Sequence, residues 1–167
     1  MKGEQYRELS AFFSQTKKRS TTMKSLHDIL PLLMLIFYPM EAIYLMITEG
    51  IGSEIFLRFT LIPLGTFLLI TAVRAISNAR RPYEKYNYTP VVNKTTKGKS
   101  FPSRHTVSAF IIAMAFLYVN TSIGVIMLVI ASIIGITRVL CGVHFIRDVV
   151  SGAAIGVIIG ILGFFVF

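Results

Sequence analysis

An all-α, polytopic membrane helical bundle of about five transmembrane helices is the fold this sequence predicts. Three observations predict it. Hydrophobic residues make up 54% of the chain and its mean hydropathy is +0.68, well outside the range of ordinary soluble domains. Uncharged runs long enough to cross a hydrocarbon core of about 30 Å recur along the chain. The polar strings fall where those runs end.

Taken in order, residues 1–24 form a basic N-terminal segment with Lys2, Arg7, Lys17, Lys18, Arg19 and Lys24. It lacks the apolar core and small-residue cleavage site of a signal peptide. Tyr6, Leu9, Phe12 and Phe13 can share one face of an interfacial amphipathic helix held at anionic headgroups; the alternative is a frayed basic tail. Residues 25–167 form the membrane domain. Its expected spans lie near Ile29–Thr48, Glu54–Ile76, Thr106–Asn120, Thr121–Leu140 and Ile146–Phe167. The third is short, and Asn120-Thr121-Ser122 is the turn that makes it a hairpin with the fourth. Glu41 in the first span and Arg58 in the second are expected to neutralise each other, since neither should face lipid alone. Gly152, Gly156 and Gly160 repeat every fourth residue in the last span, a spacing that lets helices approach closely. That stripe is expected to pack within the bundle. A homodimer seam is permitted by it and not demanded.

Charge gives an orientation. The net charge is +9, and the loop between residues 77 and 104 carries seven Lys or Arg against Glu84. The turns at 48–54 and 120–122 carry none. Five spans put the N-terminal segment, that loop and the 141–145 turn on one face, which the positive-inside rule makes cytoplasmic. The basic charge is read as meeting membrane lipids and phosphate, with no nucleic acid partner. Cys141 is the only cysteine, so no intramolecular disulfide forms, and no metal site or cofactor is expected.

Three strings carry chemistry: Arg74-x6-Arg81-Pro82, Pro102-Ser103-Arg104-His105 and Arg138-x5-His144-x3-Asp148. His105 and His144 are two of only 3 histidines, and Asp148 is the only carboxylate after Glu84. Arginine forks bind phosphate oxygens bidentately and stay charged at any relevant pH. Arg74, Arg81 and Arg138 are therefore candidate phosphate ligands. Ser103, at the entry to the third span, joins them with the free N–H groups of a helix start. His144 and Asp148, four apart, share one face of a helix. The carboxylate can fix the imidazole tautomer and leave the other nitrogen free to attack phosphorus. His105 can protonate the departing oxygen. Together these residues make a complete set for metal-free phosphoryl transfer through a phosphohistidine.

These strings resemble the signature of the type 2 phosphatidic acid phosphatase family, in the superfamily that includes vanadium haloperoxidases and bacterial acid phosphatases. The family pattern is Lys-x6-Arg-Pro, Pro-Ser-Gly-His and Ser-Arg-x5-His-x3-Asp, and the resemblance covers residues 74–148 in order. It implies His144 as nucleophile, Asp148 as its partner, His105 as leaving-group acid, and Arg74, Arg81, Ser103 and Arg138 as phosphate ligands. There are three departures: Arg74 replaces lysine, Thr137 replaces serine, and Arg104 replaces glycine. The side chain of Arg104 can add a further cation suited to a diphosphate. The family core has six spans, and one N-terminal span is missing from the five read here.

The implied activity is hydrolysis of a phosphomonoester or diphosphate of a membrane lipid, with undecaprenyl diphosphate, phosphatidylglycerophosphate and phosphatidic acid as leading substrates. A phosphotransferase using the same histidine is the second reading, and a small anion-binding transporter the third. Residues 93–100 read as a mobile basic flap or as solvated linker.

Overall fold

The computed structural model describes residues 3–167; Lys2, at the start of the basic segment, lies outside the described residues. The chain forms α1 (Gly3–Ser14), α2 (Lys17–Thr48), α3 (Glu54–Ser77), a short α4 (Pro82–Tyr86), α5 (Arg104–Val119), α6 (Thr121–Leu140) and α7 (Ile146–Ile161). A π-helical turn, Leu162–Val166, follows. Four helical stretches are long and apolar enough to cross a membrane, and α5 is a shorter apolar helix. The chain is a multi-pass membrane protein.

α5 is short because it does not face lipid. Its 16 residues rise only about 24 Å at 1.5 Å each. Val107, Ala109, Ile111, Ala113, Met114, Ala115 and Phe116 are all buried against the neighbouring helices. By contrast α2, α3 and α6 present Leu35, Ile47, Leu68 and Ile126 outward, the pattern of a bundle whose solvent is hydrocarbon. The glycine stripe of α7 faces α5. A Cβ on Gly156 would come within 3.0 Å of the Val107 carbonyl and 2.8 Å of Phe110, so only glycine allows this approach. Asn120 alone separates α5 from α6 and caps the latter, its Oδ1 accepting from the Ile123 N–H at 3.1 Å.

α2 starts at Lys17 rather than near Ile29. Its 32 residues reach about 48 Å, so its basic first turns extend beyond a hydrocarbon core. Prolines inside the spans open carbonyls that other helices use. Pro63 cannot donate to Phe59, and the Tyr38 hydroxyl donates to that carbonyl instead, at 3.0 Å. The Tyr38 ring stacks on Phe59, centroids 5.1 Å apart.

Two expectations change. Arg58 does not pair with Glu41. It bonds Glu54, one turn back on its own helix, at 2.5 Å, and the carbonyls of Gly163 and Phe167. The reach of a guanidinium favours a partner at i−4 near the helix end over the half-buried Glu41 of the preceding helix. The N-terminal segment is helical, yet it is fastened to protein as well as presenting Phe12 outward. Tyr6 is buried with its hydroxyl accepting from the Ile146 N–H at 3.2 Å. Arg7 and Ser10 donate to the carbonyls of Tyr86 and Thr89.

Candidate active site

The three strings meet at the end of the bundle where α3 and α6 finish and α5 and α7 begin. There a cavity of about 320 Å³ is lined by Arg74, Arg81, Arg104, Arg138, His105 and His144, with His27, Lys94, Thr96 and Lys99. No carboxylate is among its lining residues.

Each side chain is delivered by local structure. Arg74 sits in the last turn of α3, which Asn78 ends in the left-handed conformation at φ 38°. Its guanidinium donates to the carbonyls of Ser100 and Pro102. Arg81 precedes α4, and its Nε donates to the Gly98 carbonyl at 3.1 Å while Nη1 donates to the Val143 carbonyl at 3.3 Å. Arg138 lies in the last turn of α6 and is 1% exposed. Between α6 and α7 the chain reverses at Gly142, φ 72°, a conformation that favours glycine. Tyr88 closes that turn by donating to the Gly142 carbonyl at 2.7 Å, and the turn aims His144 at the cavity.

His144 and Asp148 are one turn apart, with Nδ1 3.6 Å from Oδ2. Asp148 is wholly buried and also caps its own helix, Oδ2 accepting from the Phe145 N–H at 3.1 Å. Nε2 of His144 faces Arg81 Nη1 at 3.5 Å. Burial holds the imidazole well below its ordinary range, at about 4, against the opposing pull of Asp148. The ring is therefore neutral near pH 7, the state a nucleophile needs. Burial and then the neighbouring guanidiniums also lower the Lys94 ammonium. Burial pushes the Cys141 thiol up to about 11, which leaves it inert as a nucleophile at neutral pH.

Ser103 stands apart from the cavity wall. It is fully buried, its Oγ accepts from the Thr106 hydroxyl at 2.9 Å, and its N–H donates to the Asp148 carbonyl at 2.9 Å. The backbone donor expected to face an anion is thus spent on joining α5 to α7. Arg104 turns its guanidinium over the Phe67 ring, 5.3 Å from the centroid, at the rim between this cavity and a second, apolar one.

Two residues in contact with the site escaped the sequence reading. The Ser100 hydroxyl donates to Asp148 Oδ2 at 2.5 Å and lies 3.4 Å from His144 Nδ1, bridging the pair. His27, from α2, accepts from Arg138. The 93–100 segment is also tied down more than a flap implies. Glu84 accepts from the N–H groups of Arg81 and Gly98, and Tyr83 donates to the Thr96 carbonyl.

The chain is similar to solved and curated proteins. It superposes on the crystal structure of Aquifex aeolicus LpxE with a TM-score of 0.72 at 25% identity, over 96% of this chain and 92% of that one. It is 35% identical over 104 residues to lipid A 1-phosphatase of Rhizobium etli, 59% of this chain and 44% of that protein. It is 37% identical over 65 residues to undecaprenyl-diphosphatase BcrC of Bacillus subtilis, 39% of this chain and 34% of that protein. The chain thus spans less than half the length of the curated relatives it matches. The family model of the PAP2 superfamily matches residues 55–167, a stretch that holds all three strings, and the chain belongs to that superfamily.

Proposed function

We propose that the protein is an integral membrane lipid phosphatase that hydrolyses a lipid phosphomonoester or diphosphate through a phosphohistidine. One observation carries the reading: four arginines and three histidines line one cavity whose wall holds no carboxylate. A phosphate dianion is the guest that such a wall neutralises, and forked donors match its oxygens.

The lone pair of His144 Nε2 attacks phosphorus while Nδ1–H is held by the Ser100 and Asp148 oxygens. The bond from phosphorus to the leaving oxygen breaks, that oxygen belonging to the lipid alcohol in a monoester and to the lipid monophosphate in a diphosphate, and His105 delivers a proton to it. His105 then takes a proton from water as its oxygen attacks the phosphohistidine, releasing phosphate and restoring neutral His144. Arg74, Arg81, Arg104 and Arg138 hold the charge that spreads over the equatorial oxygens, and Ser103 holds the helix that presents Arg104 and His105.

A lipid substrate is supported by the second cavity. About 580 Å³ of apolar space between α2, α3 and α5, lined by Leu35, Pro63, Leu64 and Ile112 among others, shares Arg104 and His105 with the polar cavity. A headgroup phosphate and its hydrocarbon chain would lie across that shared rim. The similarity to proteins named for lipid A and undecaprenyl diphosphate is in keeping with this class. The charge asymmetry supports a cytoplasmic site: among the described residues, Arg58 is the only Lys or Arg in the other half of the bundle.

The test is phosphate release by detergent-purified protein from undecaprenyl diphosphate, phosphatidylglycerophosphate and phosphatidic acid, with EDTA present, beside His144→Ala. Release that survives EDTA and disappears in the variant supports the reading and ranks the substrates. No release from any lipid by folded protein contradicts it. Release that appears only with an added alcohol acceptor would make the protein a phosphotransferase.

A further inference from the structure

Arg138 is buried, and what holds it is not part of the three strings. Its Nη1 donates to His27 Nε2 and its Nη2 to the His27 carbonyl at 3.0 Å. That carbonyl is available for a reason written in the sequence. Inside α2, the carbonyl of residue 27 would normally accept from residue 31, which is Pro31 and has no N–H. Arginine can only donate, so the ring nitrogen facing it must be the bare one and Nδ1 carries the proton. That proton goes to Asp28 Oδ1 at 2.7 Å. The two acceptors thus form a fork that matches the end of the guanidinium. The side edge remains, and Nε of Arg138 has no hydrogen-bond partner among the described residues. Both His27 and Arg138 line the phosphate-sized cavity.

We propose that His27 and Pro31 are positioning residues for phosphate binding. Pro31 frees a carbonyl, His27 adds its ring nitrogen, and the pair clamps the end of Arg138 so that its Nε edge is presented to the anion. Both lie on α2, outside the family-matched residues 55–167, so the first long helix contributes to the site rather than only anchoring it. The proposal rests on the reading that the cavity holds phosphate.

Orthovanadate serves as the probe, because its binding needs no turnover. Its affinity is measured by calorimetry on the full chain in detergent, for the wild type, His27→Ala, His27→Gln, Pro31→Ala, Arg138→Ala and the His27→Ala/Arg138→Ala double variant. His27→Ala should weaken binding about tenfold, the loss expected when a charge-assisted bond no longer orients a ligand. His27→Gln, whose amide oxygen can accept at the same place, should stay within about threefold of the wild type. Pro31→Ala restores a competing N–H and should weaken binding by about threefold. The double variant should bind no worse than Arg138→Ala alone, since His27 acts only through that residue. A His27→Ala protein with wild-type affinity, or losses that add in the double variant, overturns the proposal. If His27→Ala does not fold, His27→Gln and Pro31→Ala decide, and a glutamine variant as weak as Arg138→Ala overturns it. A folded wild type that binds no vanadate overturns the phosphate reading itself.

Discussion

The two ends of the bundle both hold arginine inside a largely apolar protein, and they treat its charge in opposite ways. At the far end Arg58 meets Glu54 at 2.5 Å and two backbone carbonyls, so its charge is balanced within the protein and near water, Glu54 being 72% exposed. At the site end Arg74, Arg81 and Arg138 are at most 8% exposed. They bond carbonyls and histidines, and among the described residues none makes an ion pair with a carboxylate. The acids nearby are spent on other groups: Asp148 on Ser100 and the Phe145 N–H beside His144, Glu84 on the backbone N–H groups of Arg81 and Gly98, and Asp28 on His27. Buried cations without counter-charge cost several kcal/mol each. Three arginines without a direct carboxylate partner around one cavity are the arrangement that the proposed phosphate guest would neutralise.

The comparison can be broken most directly by removing one arginine from each end. Arg81→Ala should lower kcat/KM for phosphate release by roughly 10²–10³-fold, as for loss of one preorganised donor to transition-state charge. Arg58→Ala should leave activity within about twofold, because its charge is already spent on Glu54 and exposed pairs contribute little. Equal losses at the two ends would remove the distinction.

Ser100 sharpens the picture of the site end. Ser100→Ala leaves Asp148 with one donor fewer and frees the His144 ring to turn, so kcat should fall about tenfold with KM little changed. A change confined to KM would mean that Ser100 does not orient the nucleophile.

The pH response has a definite sign. Burial holds His144 at about 4 in the fold, against about 6.5 in an unfolded chain. Protonation therefore favours the unfolded state: the neutral ring's contribution is complete above about pH 6.5 and is lost as pH falls through the folded value. Ring-nitrogen shifts followed by NMR should show His144 still neutral at about pH 6, where an exposed histidine is largely protonated. A midpoint near 6.5 would show that the ring is not desolvated.

Among the site residues, the smallest effect is expected at Arg104. Removing its guanidinium from the rim over Phe67 should lower turnover of diphosphates relative to monophosphates by about threefold to tenfold. An unchanged ratio in Arg104→Gly rules out a role in recognising the second phosphate.

What could be read from the chain follows the range of its signals. The five helices of the bundle and the convergence of the three strings were legible because hydropathy and motif spacing are local. The boundaries of α2 were not, since a helix that leaves the membrane loses its hydropathic mark and keeps its hydrogen bonds. The Glu41–Arg58 pairing failed because matching depth does not outweigh a partner one turn away. Ser100 was hidden in a lysine-rich run that looked like linker, and only folding sets it between His144 and Asp148. His27 was harder still, because its partner is 111 residues away. A signal was nevertheless present: a histidine four residues before a proline inside a span offers a freed carbonyl beside a ring acceptor.

The most direct test is to trap the phosphate on the protein. Purified chain is mixed with a lipid phosphate carrying labelled phosphorus, in EDTA, and quenched in alkali, where phosphohistidine persists. Label on the peptide containing His144, absent from His144→Ala and lost on mild acid treatment, is the result predicted. Phosphate released at the normal rate with no label on His144 would contradict the account.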